Sequence, residues 1–249
     1  LDVYRLQKEE GPLPVIVSVH GGGWVYGDKE RYQFYCMDLA ERGFVVVNFS
    51  YRLAPEYKFP ASLEDTNSVF SWVLEHAETY GFDTEKIFAV GDSAGAHLLS
   101  LYLDMCTNLD YAGNYNFHTP EDLQIRAVAL NCGQYHIGEK ELDKLTGKLM
   151  EEYLPGKGTK QELQLLCTDE YMTEKFPPVF IMTAEEDFLR GQAPLMYEKL
   201  KSMNIPCEFH DYSSERTEKL GHVFHLNIRS EDAHKCNDEE CRFFKQILS

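Results

Sequence analysis

The stretch Gly91-Asp92-Ser93-Ala94-Gly95 has residue types and spacing that can do chemistry. It follows the short apolar run Ile87 to Val90 and precedes a helix-like run, Ala96 to Leu103. A serine between strand and helix, with glycine two residues to either side, is the pattern of a nucleophile elbow. The turn is so sharp that bulk at either flanking position would collide across it, which Gly91 and Gly95 avoid. Such a turn lifts the hydroxyl out of the sheet and aims a helix N-terminus at it. Free N–H groups there can stabilise an oxyanion. The same five residues also suit an ordinary strand–helix turn, so other residues must decide.

A neutral hydroxyl is a poor nucleophile and needs a base. In sites of this kind the chain order is Ser, then acid, then His. Asp187 follows the strand-like Val179 to Thr183, and His222 follows the strand-like Cys207 to Tyr212. Glu185 and Glu186 stand beside Asp187, and His225 is close to His222. On residues alone both choices stay open. His210 falls inside a predicted strand, and His97 on the elbow helix reads as a packing residue. Upstream, His20-Gly21-Gly22-Gly23 directly follows the strand-like Val15 to Val19. Consecutive glycines expose backbone amides and let a carbonyl approach closely, which is the glycine-rich oxyanion loop of lipases and esterases.

Elements must position these groups. Leu1 to Leu6 reads as an edge strand. Val15 to Val19, Phe44 to Phe49, Ile87 to Val90, Ala127 to Leu130, Val179 to Thr183 and Cys207 to Tyr212 read as strands. Helical spacing is expected over Arg31 to Arg42, closed by Gly43, and over Gln192 to Met203 and Asp238 to Leu248. Another helix is expected to start at a Ser62 cap with Asp65 as an acidic capping box. Its apolar face would be Val69, Trp72, Val73 and Ala77. Alternating strands and helices predict an α/β fold, a mostly parallel central sheet with helices on both faces. Ligands bind such sheets beyond the C-terminal strand ends, where His20, Ser93, Asp187 and His222 all fall. The regular pattern lapses over Asp104 to Lys175. Within it, the polar stretch 134–168 reads equally as a lid or a peripheral insertion.

The 249 residues suit one domain spanning 1–249. A hydrophobic fraction of 43% and a charged fraction of 26% are ordinary for a globular chain. A net charge of −17 disfavours nucleic acid and anionic membranes. The seven cysteines are odd in number and several stand in apolar surroundings, which predicts reduced thiols and a cytoplasmic setting. No apolar run approaches a membrane span, and no signal stretch opens the chain. Residue 1 enters strand-like sequence without an initiator Met, which leaves a removed leader open.

Taken together, His20-Gly21-Gly22-Gly23-Trp24, Tyr51-Arg52-Leu53-Ala54-Pro55-Glu56, Phe59-Pro60-Ala61 and Gly91-Asp92-Ser93-Ala94-Gly95 resemble the hormone-sensitive-lipase-like branch of the α/β-hydrolases. Asp187-x-Leu189 and His222-x-Phe224 look like that family's acid and base motifs, so the resemblance selects Asp187 and His222. It covers roughly residues 13 to 228. It implies that the N–H groups of Gly22, Gly23 and Ala94 bind the oxyanion and that His20 and Arg52 are structural supports. Asp92 is the family's usual acidic residue in the elbow and is assigned no catalytic step. Family members usually carry a helical cap before the first strands. This chain begins too late for one, and residues 134 to 168 are the candidate replacement.

The resemblance implies a serine carboxylesterase acting through an acyl-enzyme, without cofactor or metal. The late group His222, His225, His234, Cys236 and Cys241 matches no zinc spacing. The partner expected is a small ester with a short acyl group, acetyl to butyryl, because no long apolar segment offers a channel for a long chain. A ligand receptor on the same fold is the rival class, and the presence of His222 argues against it. An amidase or lipase of the same superfamily is the second rival.

Overall fold

The β-branched runs pair into one sheet. The computed structural model describes residues 1–9, 11–138, 142, 144–215 and 218–248. Its strands are β1 (Asp2–Tyr4), β2 (Leu13–Val19), β3 (Val45–Phe49), β4 (Phe82–Asp92), β5 (Ile125–Asn131), β6 (Val179–Ala184) and β7 (Cys207–Tyr212). Among the described residues they form a seven-stranded sheet in the order β1-β3-β2-β4-β5-β6-β7. Only the edge strand β1 runs antiparallel to its neighbour; every other pairing is parallel.

Side chains of successive residues point to opposite faces, so each strand feeds two cores. Val15, Val17, Ile87 and Ala89 face one core with helices α2 (Ala61–Glu75), α4 (Ala94–Thr107) and α9 (Gln192–Ser202). Ile16, Phe88 and Val90 face the other with α1 (Lys29–Ala40) and α10 (Glu231–Ile247). Short helices complete the chain: α3 (Ala77–Tyr80), α5 (Leu109–Ala112), α6 (Lys144–Tyr153), α7 (Lys160–Leu165) and α8 (Thr168–Tyr171). Helices on both faces of a mostly parallel sheet, as expected from the sequence, place all the strand-end loops of interest at one rim.

Three local expectations are corrected. Ser62 is not a cap: α2 starts two residues earlier than such a cap would give, with Pro60 at the N-cap and no side-chain cap bond. The Ser62 hydroxyl is instead 2.9 Å from the Tyr153 hydroxyl, and Asp65 binds Arg52. The cap of α1 at its C-terminal end is Glu41, and Gly43 closes the following turn at φ 91°. The last helix begins at Glu231, well before Asp238. Its buried face includes Asn237 and Glu240 among Ala233, Cys236, Cys241 and Phe244, so polar residues conceal the period.

Within 134–168, exposed residues alternate with a set that packs inward. Met150, Tyr153, Leu154, Leu163 and Leu166 belong to the first core. A capping box between Thr159 and Glu162 starts α7. Tyr153 stacks on Trp24, just after the glycine loop, with centroids 5.1 Å apart.

Candidate active site

Ser93 sits between β4 and α4 at φ 53° and ψ −120°, a conformation costly for any side-chain-bearing residue. The surrounding chain leaves no alternative. A Cβ on Gly91 would lie 2.7 Å from the Gly95 carbonyl oxygen, and one on Gly95 only 2.1 Å from that of Val19. The Ser93 N–H donates to the Asn131 carbonyl at 2.9 Å, which ties the turn to β5. Ala94 opens α4, so its N–H is one of the helix's orphan donors.

The loops after β6 and β7 come together through a parallel bridge between Glu186 and Gly221. There His222 Nδ1 lies 2.6 Å from Asp187 Oδ1. That carboxylate also accepts from the Leu189 N–H at 2.9 Å and the Thr183 hydroxyl at 2.8 Å. Burial pushes the Asp187 pKa up, but the hydrogen bonds from His222, Leu189 and Thr183 outweigh it and hold the group below the usual carboxylate range. Nδ1 carries the proton toward Asp187, so Nε2 is the nitrogen left with a lone pair. Glu185 plays another part: it accepts from the N–H groups of Ser214 and Leu220 and pairs with Lys219 at 3.2 Å. Glu186 points to solvent.

The other histidines are placed away from this pair. His225 is fully buried edge-on to Tyr35, and neither ring nitrogen has a partner among the described residues. Burial pulls its pKa down to about 3. His97 is buried, with Nε2 2.9 Å from the Leu166 carbonyl, and burial lowers its pKa to about 4. His20 stacks on Tyr51 at 4.1 Å and donates from Nδ1 to the Gly21 carbonyl at 2.7 Å. Arg52 is held by Asp65 and Glu64. His20 and Arg52 thus brace loops, as the resemblance implied.

The glycine loop needs its glycines. Gly22 and Gly23 stand at φ 124° and 55°, and a Cβ on Gly22 would lie 2.0 Å from the Tyr26 carbonyl oxygen. The Gly21 N–H is already spent on the Tyr32 hydroxyl at 2.8 Å. Among the described residues, the N–H groups of Gly22, Gly23 and Ala94 donate to no protein acceptor. A cavity of about 240 Å³ joins Gly22, Tyr26, Asp92, Ser93 and His222. Gly22, Ser93 and His222 thus line one cavity, with Asp187 bound to His222 behind it; Gly23 and Ala94 adjoin Gly22 and Ser93 in the chain.

Sequence reasoning missed four neighbours. Tyr32 donates to Asp92 Oδ2 at 2.8 Å and accepts from Gly21, so it links elbow and glycine loop. On its helix it looked like an ordinary core position. Phe188 is 67% exposed, with its ring 4.2 Å from that of His222. Tyr26 is 61% exposed on the cavity wall. Leu149 of α6 lies against the glycine loop, 3.1 Å from where a Gly23 Cβ would stand. Nothing in a single sequence marks such cross-chain contacts. Asp92, wholly buried, has its pKa raised by burial to about 7. Among the described residues, two groups could hold a metal: Cys132 with Asp187 and His222, and His136 with Cys167 and Asp169. Of the late histidine and cysteine group, His222 alone belongs to either cluster.

Comparison with known proteins identifies the family and the fold. Residues 1–200 match the family model BD-FAE. The chain is 30% identical over 225 residues to versiconal hemiacetal acetate esterase of Dothistroma septosporum, covering 84% of this chain and 67% of that protein. It is 29% identical over 220 residues to carboxylesterase NlhH of Mycobacterium tuberculosis, covering 85% and 67%. The chain thus spans about two thirds of the length of these relatives. Esterase B from Lactobacillus Rhamnosis superposes with a TM-score of 0.86 at 22% identity, over 98% of this chain and 79% of that one. The chain belongs to the BD-FAE family, and with it to the hormone-sensitive-lipase-like carboxylic ester hydrolases of the α/β-hydrolase fold.

Proposed function

We propose that the chain hydrolyses small carboxylic esters through Ser93, His222 and Asp187. The observation that carries this reading is the 2.6 Å contact between His222 and Asp187, opening on the same cavity as the strained Ser93. Ser93 Oγ attacks the ester carbonyl while His222 Nε2 takes its proton. Asp187 holds the imidazole in that tautomer and stabilises its charged form. The oxyanion is received by the N–H groups of Gly22, Gly23 and Ala94. The ester C–O bond breaks, His222 returns the proton to the leaving alcohol, and water then releases the acid by the same route. No step calls for a cofactor.

Short acyl groups, acetyl to butyryl, are the substrates this reading favours. The cavity of about 240 Å³ lies below the roughly 300–1,000 Å³ of typical ligand pockets. Leu149 closes on the glycine loop beside it. One relative's name specifies an acetate ester, which supports the same length. Acetylated sugars are candidate natural substrates. We read the chain as a single domain whose segment 134–168 covers the site. None of the seven cysteines forms a disulfide among the described residues, which supports a reducing, cytoplasmic setting. None of the described helices is long and apolar enough to cross a membrane.

The test is kcat/KM across p-nitrophenyl esters of increasing acyl length. The maximum is expected at butyryl or shorter, since a further methylene gains its roughly 0.8 kcal/mol only where it can be buried. A maximum at about ten carbons or more, or activation at an oil–water interface, would replace this reading with a lipase.

A further inference from the structure

The amides read above as oxyanion donors belong to peptide planes, and a trans peptide fixes its N–H opposite its own C=O. A hold on either group therefore aims the other. In the plane joining Gly21 to Gly22, the Gly21 carbonyl is held by His20 Nδ1 at 2.7 Å, which aims the Gly22 N–H. In the next plane, the Gly22 carbonyl accepts from the N–H groups of Val25 and Tyr26 at 3.1 and 3.0 Å, which aims the Gly23 N–H. The plane before both is clamped by two tyrosines. The His20 carbonyl accepts from the Tyr51 hydroxyl at 3.0 Å, and the Gly21 N–H donates to the Tyr32 hydroxyl at 2.8 Å. Consecutive glycines would otherwise turn freely about their backbone bonds.

Tyr32 makes a second bond, and that bond reaches the elbow. Its hydroxyl donates to Asp92 Oδ2 at 2.8 Å. Strands β2 and β4 pair as far as Val19 and Gly91. The hydroxyl bridges the two chains just past that point, from Gly21 to Asp92, and serves as acceptor and donor at once. Asp92 directly precedes Ser93 and the third donor, Ala94. The bridge is firmly seated. Tyr32 is buried on the inner face of α1 with Tyr35, Cys36 and Leu39. The start of α1 is fixed by Asp28, whose side chain accepts from the Arg31 N–H at 3.1 Å. Gly21 itself packs against the elbow: a Cβ there would lie 2.6 Å from Asp92 Oδ2.

We propose that Tyr32 is a positioning residue for ester hydrolysis: its hydroxyl sets the Gly22 and Gly23 amides in register with that of Ala94, around the carbonyl that Ser93 attacks. The inference rests on the reading of Ser93 as the nucleophile. The Tyr32 hydroxyl is spent on Gly21 and Asp92, so it moves no proton in the reaction. A ground-state ester carbonyl carries little charge and tolerates loosely placed donors. The tetrahedral oxyanion carries a full charge, and its stabilisation depends on donors already in place. Loss of the hydroxyl takes this partner from both the Gly21 N–H and Asp92 and lets the glycine loop shift against the elbow. The cost therefore falls on the transition state and not on substrate binding.

The test is Tyr32→Phe in the full chain, with p-nitrophenyl acetate as substrate and butylboronic acid as a probe of the tetrahedral state. kcat should fall by about ten- to a hundredfold, less than the roughly 10²–10³ that outright loss of a donor costs. KM should stay within about threefold. The inhibition constant of the boronic acid should rise by the factor that kcat/KM loses. A merely destabilising change lowers the active fraction, and so lowers kcat without moving an inhibition constant. Tyr102→Phe is the control, since it removes a buried hydroxyl bound to Asn67 Oδ1 at 3.0 Å. It should lower Tm and leave kcat unchanged. Asp92→Ala breaks the bridge from its other end, should show the same split, and carries the test if Tyr32→Phe fails to fold. A kcat within about threefold of the parent would overturn the proposal, as would a fall in kcat with the inhibition constant unmoved. Ser93→Ala, run in parallel, separates the two readings. Hydrolysis that persists there overturns both, whereas hydrolysis lost there but kept in Tyr32→Phe overturns the role of Tyr32 alone.

Discussion

At the scale of single residues, two choices the residues alone left open have physical answers in the fold. Asp187, not Glu185, reaches His222, because Glu185 is spent on the backbone of the loop that carries the histidine. His225 faces the second core against Tyr35, whereas His222 opens on the cavity with Ser93. The motif around each residue was legible in the sequence; the direction of its side chain was not, because a loop has no period that fixes it. Replacement of His222 by alanine is expected to lower kcat by a factor of about a thousand or more, as removal of a member of such a triad does. His225→Ala should leave kcat within about tenfold and instead lower Tm, because it empties a buried site. Steady-state kinetics and thermal melts on both variants check this, and interchanged effects would mean that His225 is the base.

At the scale of elements, the strands were legible because five of them hold β-branched or apolar runs with turn signals between them. The positions of Gly91 and Gly95 followed from the turn they must make. The segment 134–168 was not legible, since its buried residues are dispersed among charged ones and its partners lie far away in sequence. Tyr153 against Trp24 and Leu149 against Gly23 show where that segment packs. If the segment limits acyl length, shortening Leu149 should relax the limit. Leu149→Ala is expected to raise kcat/KM for hexanoyl and octanoyl esters relative to acetyl by about fivefold or more, the value of roughly one buried methylene or slightly more. An unchanged length profile would show that Leu149 does not bound the acyl site.

At the scale of the whole molecule, the acidic composition was plain but the burial of particular acids was not. Asp92 and Glu240 are both fully buried, and burial raises each pKa to about 7. Glu240 accepts from Tyr35 at 2.9 Å and Asn131 at 2.7 Å, which offsets only part of that cost. In the unfolded chain both groups titrate near their ordinary values of 3.8 and 4.5. The folded chain therefore binds more protons between about pH 4 and pH 7, and its stability falls as pH rises through that window. Asp187 acts oppositely: its folded pKa is depressed, so its contribution is present above the ordinary carboxylate range and lost as pH falls through the folded value. Glu240→Gln removes one ionisable group, and Asn131 can turn its unpartnered Oδ1 toward the new amide. The Tm of Glu240→Gln relative to the parent should rise from pH 5 to pH 8 by roughly 2–4 °C, about 1 kcal/mol for a chain of this size. A difference independent of pH would mean that Glu240 is ionised in the fold. The central claim, however, concerns the serine at the apex of the elbow, and covalent capture tests it most directly. Incubation with an organophosphate ester probe, followed by peptide mass spectrometry, should place one adduct per chain on Ser93 as hydrolysis is lost in parallel, with no adduct in Ser93→Ala. Labelling and ester hydrolysis that persist in Ser93→Ala would contradict the account.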